Sequence, residues 1–237
     1  MEDDGTCLLF TADDVTEISA ALKAANDDLD SRGTLDAAAD SVDWEHAGTL
    51  VTVRQQAKVL SDTAALVWME PPFVCRWLAA TYEQQALGAT IDIGAGTGFL
   101  GLWAMLHGLC RSMTISDRLS RVPFIRENMS YNRLAPPETT ALGLNWGDLK
   151  AARALSGQFD TALAVGLIYD PGLHEPLIAT LVALAPPLVI LSFARRHEGH
   201  EESFLRKLGA NYSIILRQHA DEPLRGNAVL IYECRVR

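Results

Sequence analysis

The chain is short of cysteine, of basic residues and of long apolar runs, and each shortage excludes a class of protein. Its four cysteines form no CxxC pair and no His/Cys cluster with metal spacing, so we expect reduced thiols, with Cys75 and Cys110 buried, and no metal site. The 20 Lys and Arg residues against 30 Asp and Glu residues give a formal net charge of −10, which disfavours a broad nucleic-acid interface. Without an apolar run of about 18 residues or a signal-like N-terminus, we expect no membrane span and a location in the cytoplasm or, alternatively, the nucleus.

The length and composition predict one globular domain with an N-terminal extension. At 237 residues and 49% hydrophobic content, the chain is long enough to form a full core. Residues 11–30 show a helical spacing of apolar side chains, and the polar, Asp-rich stretch 30–46 is typical of a linker. We therefore predict a helical extension and linker over 1–46 and the main domain over 47–237, and we expect a monomer.

Strand-like and helical patterns alternate along most of the main domain. Alternation of this kind is typical of a parallel sheet with helices on both faces. The last two predicted strands are separated only by a polar loop, which is too short for a helical crossover, so they should pair antiparallel. We predict a Rossmann-like α/β fold with a twisted, mostly parallel seven-strand sheet and an antiparallel C-terminal strand. The predicted strands lie near 89–93, 112–116, 139–144, 160–165, 187–193, 212–218 and 227–235, and the helices near 98–108, 119–132, 147–155, 173–183 and 200–208.

Residues 90–101 form the most informative segment. Asp92 lies near the end of an apolar strand, and Gly94, Gly96 and Gly98 follow at alternate positions before a helical pattern begins. A strand, a bare-backbone turn and a helix N-terminus are where α/β proteins bind nucleotide-like cofactors, because glycine lets the backbone approach the ligand closely. The Asp92 carboxylate would repel a pyrophosphate, but it can receive the cationic amino acid end of S-adenosylmethionine (SAM).

A competing interpretation of the same segment is a dinucleotide site. Residues 96–101 match G-x-G-x-x-G, but Asp92 and Gly94 come first, which disfavours phosphate binding and favours SAM, with a dinucleotide and a purely structural turn as the alternatives. The end of the next predicted strand supplies Asp117, which lies 21 residues beyond Gly96. That spacing is the reach expected of an acid that binds ribose hydroxyls.

The segment after the third predicted strand, residues 145–148, is a candidate adenine site. Trp146 is placed to form a wall for the adenine ring, and the alternative is that it packs in the core. Asp148 is placed near the exocyclic amine, and the alternative is that it caps the helix that follows.

The run from Asp92 to Gly98 resembles motif I of the class I, seven-β-strand SAM-dependent methyltransferases. The wider pattern, over about residues 50–237, resembles one branch, the family-16 methyltransferase-like proteins, many of which methylate lysines on other proteins. The resemblance is carried by a Trp segment (Val67-Trp68, then Pro71-Pro72), by Asp117 with Asn128 and Asn132, by Leu144–Leu149, and by the stretch from Phe159 to Leu177.

The resemblance departs at one position of the family's fourth motif, which is an acid, two residues and then Tyr or Phe. Tyr169 is present, but Gly166 occupies the place of the acid that helps to hold the target lysine. Glu70, Asp170 or another relocated carboxylate are the candidates to replace it.

The resemblance implies a SAM-dependent enzyme that methylates a lysine of a protein substrate. Tyr169 is then the catalytic residue, and Trp68 lies at the cofactor's edge. Together with Phe193, these two rings are candidate walls of the acceptor channel. Two alternatives stay open: Gly166 motivates a methyltransferase fold kept as a binding or assembly module, and a small-molecule or RNA methyltransferase is the other, although the acidic charge disfavours RNA.

Overall fold

The computed structural model describes residues 35–36, 38–56, 63–195, 199–219 and 228–237, so the predicted helix near 11–30 and the polar loop before the last strand lie outside these ranges. Short 3-10 turns occur at Thr63–Ala65, Leu119–Arg121 and Pro171–Leu173. The strands and α-helices follow in the order β1 (Ser41–His46), β2 (Thr49–Arg54), α1 (Glu70–Thr81), β3 (Gly88–Ile93), α2 (Phe99–Leu106), β4 (Cys110–Asp117), α3 (Val122–Tyr131), β5 (Thr139–Gly143), α4 (Leu149–Ala154), β6 (Thr161–Val165), α5 (His174–Leu184), β7 (Leu188–Ala194), α6 (His200–Leu208), β8 (Tyr212–His219) and β9 (Val229–Val236).

Strands β3 to β9 form one seven-stranded sheet in the order β5-β4-β3-β6-β7-β9-β8. The five neighbouring strands β5, β4, β3, β6 and β7 pair in parallel, whereas β9 pairs antiparallel with both β7 and β8. The predicted fold class is therefore confirmed. The chain leaves β3 toward β4 and β5 and then returns to β6 on the other side of β3, so the connections diverge above the carboxyl ends of β3 and β6. Such a switch point opens a crevice for a ligand.

The sheet is covered on both faces, and two apolar clusters form the core. One cluster packs α1, α2 and the β1–β2 hairpin on the sheet, with Phe73, Phe99 and Trp103 among its largest buried side chains. The other packs α4, α5 and α6 on the opposite face, with Leu181 and Phe204 fully buried. Strands β6 and β7 are buried along their whole length, as expected of central parallel strands.

Residues 41–46 correct one prediction, because they form strand β1 and not a linker. They pair antiparallel with β2, and Trp44 is buried against Phe99 and Trp103, with ring centroids 5.3 and 6.1 Å away. The stretch was misread because its charged residues face solvent, and Trp44 is its one buried side chain, with Val42 and His46 partly buried beside it. The domain boundary at residue 46 stays a prediction.

Asn128 of α3 and Asn132, which caps the C-terminus of that helix, attach the hairpin to α3. Asn128, which has no exposed surface, accepts a hydrogen bond from the Arg54 backbone N–H (2.8 Å) and donates one to the Thr97 carbonyl (2.8 Å). Asn132 accepts from the Thr52 N–H and donates to the Thr52 carbonyl (2.9 and 2.6 Å). The two side-chain amides bond backbone groups of β2 as a neighbouring strand would, and this fixes the position of β2 beside α3.

Two smaller expectations concern burial and membrane contact. Cys75 and Cys110 are buried, as predicted. Within the described ranges, no helix combines the length and the apolar character that a bilayer crossing requires.

Candidate functional site

The turn after β3 depends on glycine. Gly94, Gly96 and Gly98 all have left-handed backbones, with φ of 63°, 58° and 83°. A Cβ on Gly94 would lie 2.7 Å from a ring carbon of Trp146, and one on Gly96 would lie 3.1 Å from the Ala64 carbonyl oxygen. Gly94 and Gly96 therefore require both positive φ and the missing side chain, whereas Gly98 requires the positive φ.

Two buried carboxylates fix this turn and the helix that follows. Asp117, the last residue of β4, accepts a hydrogen bond from the Gly96 N–H on Oδ2 (2.9 Å) and one from the Arg118 N–H on Oδ1 (2.7 Å). Asp92, on β3, accepts one from the Gly101 N–H on Oδ2 (3.0 Å). Each carboxylate oxygen has a second lone pair, so both groups can bind a ligand while they hold the backbone.

The Asp92 carboxyl is electrostatically unusual. Burial, together with the negative charge of Asp117, raises its pKa to about 7, although the Gly101 N–H acts in the opposite direction. A carboxylate in this environment is stabilised by a cation, and an ammonium group that reaches it would restore its ordinary ionisation.

A cavity of about 650 Å³ opens above the carboxyl ends of β3, β4 and β6, a volume in the range of sites for drug-sized ligands. It brings together seven of the nine predicted site residues, although they come from five separate segments. The seven that line it are Trp68, Asp92, Gly94, Gly96, Asp117, Trp146 and Tyr169.

The remaining two predicted residues do not line the cavity. Gly98 begins α2 in a left-handed conformation and lies behind the turn. The Asp148 side chain accepts a hydrogen bond from the Ala151 N–H (3.0 Å) and so caps α4. Capping was the alternative to contact with the adenine amine in the sequence analysis.

The cavity also has walls that the sequence did not single out. Ala64 and Leu66 approach from the 3-10 turn before α1, and Arg118 lies beside Asp117, with 3.7 Å between its Nε and Asp117 Oδ1. The sequence could have indicated Arg118, because it directly follows Asp117, the proposed ribose-binding acid. Nothing in the sequence indicated Ala64 and Leu66, because two apolar residues outside a repeating pattern do not show what they contact.

A second, narrow cavity adjoins the first at the carboxyl ends of β6 and β7. Glu70, Gly166 and Tyr169 line both cavities. Phe193, buried and stacked on Tyr232 with centroids 5.6 Å apart, forms part of the far wall together with Glu201 of α6. Tyr169 is 43% exposed, so its ring stands at the border between the two cavities and solvent.

Comparisons with known proteins agree with this geometry. The chain matches the family described as lysine methyltransferase over residues 47–211. It is 27% identical over 176 residues to the mouse protein N-lysine methyltransferase METTL21A (72% of this chain and 78% of that protein), and 26% identical over 200 residues to the EEF1A lysine methyltransferase 3 of Xenopus tropicalis (80% and 85%).

A solved structure supports the fold. A Streptococcus mutans protein described as a SAM-dependent methyltransferase superposes with a TM-score of 0.60 at 15% identity, covering 84% of this chain and 56% of its own. The chain thus spans little more than half of that protein's length.

Proposed function

Because the chain belongs to the lysine methyltransferase family, it is a SAM-dependent methyltransferase, and we propose that it methylates a lysine side chain of another protein. The observation that carries the proposal is the junction of the two cavities beside Tyr169. The larger one ends on two buried carboxylates, whereas the narrower one has carboxylate and aromatic walls. A cofactor bound in the larger cavity and a cationic side chain that enters from solvent past the exposed Tyr169 would meet at that junction.

The residues of the large cavity fit SAM. The Asp92 carboxylate lines the cavity and would receive the cationic amino acid end, since a cation beside this buried acid would offset the burial that raises its pKa. Asp117 would accept hydrogen bonds from the ribose hydroxyls, and Trp146 would lie along the adenine ring. Gly94 and Gly96 leave the backbone open on the same side, as contact with a ligand requires.

Methyl transfer requires mainly that the acceptor amine is neutral and that it is aligned with the methyl carbon and the sulfur. When bound, SAM supplies an electrophilic methyl carbon, to which an amine lone pair forms a bond while the carbon–sulfur bond breaks and its electrons stay on sulfur. The residues of the chain must hold the amine in line and favour loss of its proton, since a free lysine has a pKa near 10.4. The aromatic rings of Trp68 and Tyr169 line the larger cavity, and partial removal of an amine from water beside them would lower its pKa.

One observation favours a second candidate function. Gly166 lacks the carboxylate that the family's fourth motif carries, so a methyltransferase fold that binds SAM and a partner protein without efficient catalysis is the alternative. For either function we propose a monomer in the cytoplasm with a protein as its partner, and we propose that the residues before β1 are an N-terminal extension of the domain.

The test combines cofactor binding with transfer. The purified chain is titrated calorimetrically with SAM and with its demethylated product SAH, and is then incubated with methyl-labelled SAM and cell lysate. Methyllysine in a discrete protein band, found by mass spectrometry, supports the enzyme. Micromolar binding without transfer supports the binding module, and a folded chain that binds neither ligand contradicts both.

A further inference from the structure

A short segment before α1, residues 64–68, forms one wall of the large cavity, and we call it the wall segment. All of its residues except Ala65 line the cavity. It lies against the turn after β3, because the Ala64 carbonyl oxygen is 3.1 Å from the Cβ that Gly96 lacks. The distance between the wall segment and this turn sets the width of the cavity on that side. Whatever fixes the wall segment therefore also shapes the space for the cofactor.

Both backbone groups of Val67, the residue before Trp68, are bound from outside the wall segment. The Val67 N–H donates a hydrogen bond to Gln55 Oε1 (2.8 Å), and its carbonyl accepts one from the Leu35 N–H (3.0 Å). Val67 is buried, and a buried backbone group that loses its partner destabilises the arrangement that buries it. The position of Val67 thus depends on the Gln55 side chain and on the backbone of Leu35.

The Gln55 side chain joins the wall segment to the chain before β1. It directly follows β2 and is buried. Its Nε2 donates to the carbonyl oxygens of Leu35 and Asp36, both at 3.0 Å, and to that of Ala39 at 3.4 Å. Because a side-chain amide has one acceptor oxygen and one donor nitrogen, only this orientation satisfies the Val67 N–H and the carbonyls together. One amide therefore connects three stretches of chain.

We propose that Gln55 is a positioning residue for SAM, and that Leu35 and Asp36 belong through it to the support of the cofactor site. Gln55 lines neither cavity, so it acts on the cofactor through Val67 and the rest of the wall segment. The amide holds that segment at a fixed distance from the turn after β3 before the cofactor enters. A site that is already ordered binds more tightly, because no part of it has to be ordered on binding. This inference rests on the proposed placement of SAM in the large cavity.

Two substitutions in the full chain test the proposal, with SAH affinity measured by calorimetry and folding by thermal unfolding. Gln55→Leu keeps about the same volume but removes the partner of the Val67 N–H and of two carbonyls. We expect it to weaken SAH binding about tenfold or more at a temperature where the variant is fully folded. Gln55→Glu keeps an acceptor for Val67 and, when protonated, can donate to one carbonyl. It should therefore restore part of the affinity, and more at pH 6 than at pH 8 relative to wild type at the same pH.

Tyr212→Phe is the matched control for the loss of a buried side-chain hydrogen bond. Tyr212 is buried on β8, its hydroxyl donates to the Leu181 carbonyl (3.1 Å), and it lines neither cavity. This variant should have a lower melting temperature and an SAH affinity within about twofold of wild type. Hydrogen exchange gives a local readout, because the wall segment should exchange faster in Gln55→Leu than in Tyr212→Phe.

The outcomes separate positioning from stability. A Gln55→Leu affinity within about twofold of wild type overturns the role of Gln55, whatever its melting temperature. Equal weakening in Tyr212→Phe traces the effect to stability and overturns it as well. If Gln55→Leu does not fold, Gln55→Glu decides, since wild-type affinity at both pH values contradicts the proposal. A folded wild-type chain that binds neither SAM nor SAH overturns the placement of the cofactor itself, which no result on the variants alone would do.

Discussion

The backbone N–H of Gly96 donates a hydrogen bond to Asp117 Oδ2 over 2.9 Å, although 21 residues separate the two in the chain. The bond joins the turn after β3 to the end of β4. The same carboxylate faces the cavity, so the shape of the cofactor turn and one of its ligand groups depend on a single side chain.

Replacing Asp117 should therefore damage both stability and binding. Asp117→Ala leaves the buried Gly96 N–H without its acceptor, which we expect to lower the free energy of unfolding by about 1–3 kcal/mol. It also removes the proposed ribose ligand, so the affinity for SAH should fall more than about tenfold. Calorimetry and denaturant unfolding measure the two effects. Asp43→Ala, on the exposed face of β1, is the control and should alter neither.

Binding of SAM should depend on pH through Asp92. Its pKa of about 7 means that the free protein is largely protonated there below pH 6, whereas the cationic amino end of the ligand requires the carboxylate. Affinity should therefore rise as the pH increases from about 6 and level off above about 8. Asp92→Asn should bind more weakly at pH 8 and lose this dependence. A wild-type affinity that stays flat between pH 5.5 and 8.5 would contradict the assignment.

The same group should oppose folding at high pH. The folded pKa of Asp92 lies above its ordinary value of 3.8, so the folded state binds the proton more tightly than the unfolded state. Its contribution to stability is then present below about pH 4 and is lost as the pH rises toward 7. Asp92→Asn, whose amide oxygen can still accept from the Gly101 N–H, should be more stable than wild type at pH 8 by about 1–3 kcal/mol. Thermal unfolding of both proteins at pH 5 and pH 8 measures the difference, which should be smaller at pH 5.

Gly96→Val should abolish SAM binding. The new Cβ would lie 3.1 Å from the Ala64 carbonyl oxygen on a backbone with φ of 58°, so the turn must shift away from the cavity. Gly48→Val is a control with a similar φ of 73° but with open space around the added carbon. It should lose stability from backbone strain and keep its SAM affinity. If calorimetry showed that Gly96→Val keeps its affinity for SAM, the assignment of this turn to the cofactor site would be wrong.

Trp44→Ala should destabilise the whole domain. The indole is buried between Phe99 and Trp103, and the Arg76 guanidinium lies over it at 5.1 Å from the ring centroid. Truncation of a buried aromatic side chain costs about 3–5 kcal/mol. Leu50→Ala, on the neighbouring strand and 53% exposed, should cost far less. Equal melting temperatures for the two variants would contradict the prediction and show that β1 contributes little to the stability of the domain.

The parts of this molecule that local patterns encode were predictable. Alternating strand and helix patterns fix a parallel sheet, and the acid, the glycine turn and the second acid are separated by distances that the backbone geometry dictates. Strand β1 was not predicted because Trp44 is its one fully buried side chain, among charged neighbours and the partly buried Val42 and His46. The role of Asp148 could not be predicted, because an acid directly before a helix is expected both for a helix cap and for a ligand contact.

The proximity of Glu70 to Gly166 could not be predicted from the sequence. The two are 96 residues apart in number, and the sequence offered Glu70 and Asp170 alike as carboxylates that could replace the missing acid. In the structure the Glu70 carboxyl group lies 3.7–3.9 Å from a Cβ built on Gly166, because the N-terminus of α1 packs over the end of β6, whereas the Asp170 side chain caps the short 3-10 turn.

The buried amide of Asn128 has a consequence for how this chain can diverge. One side chain bonds both to the carbonyl of Thr97, inside the cofactor turn, and to the backbone of Arg54 in the hairpin. An insertion or a register change in that hairpin would thus be transmitted to the turn within a single side chain's reach. The hairpin and the cofactor turn are therefore coupled through this amide, and hydrogen exchange in β2 should slow when a ligand occupies the turn.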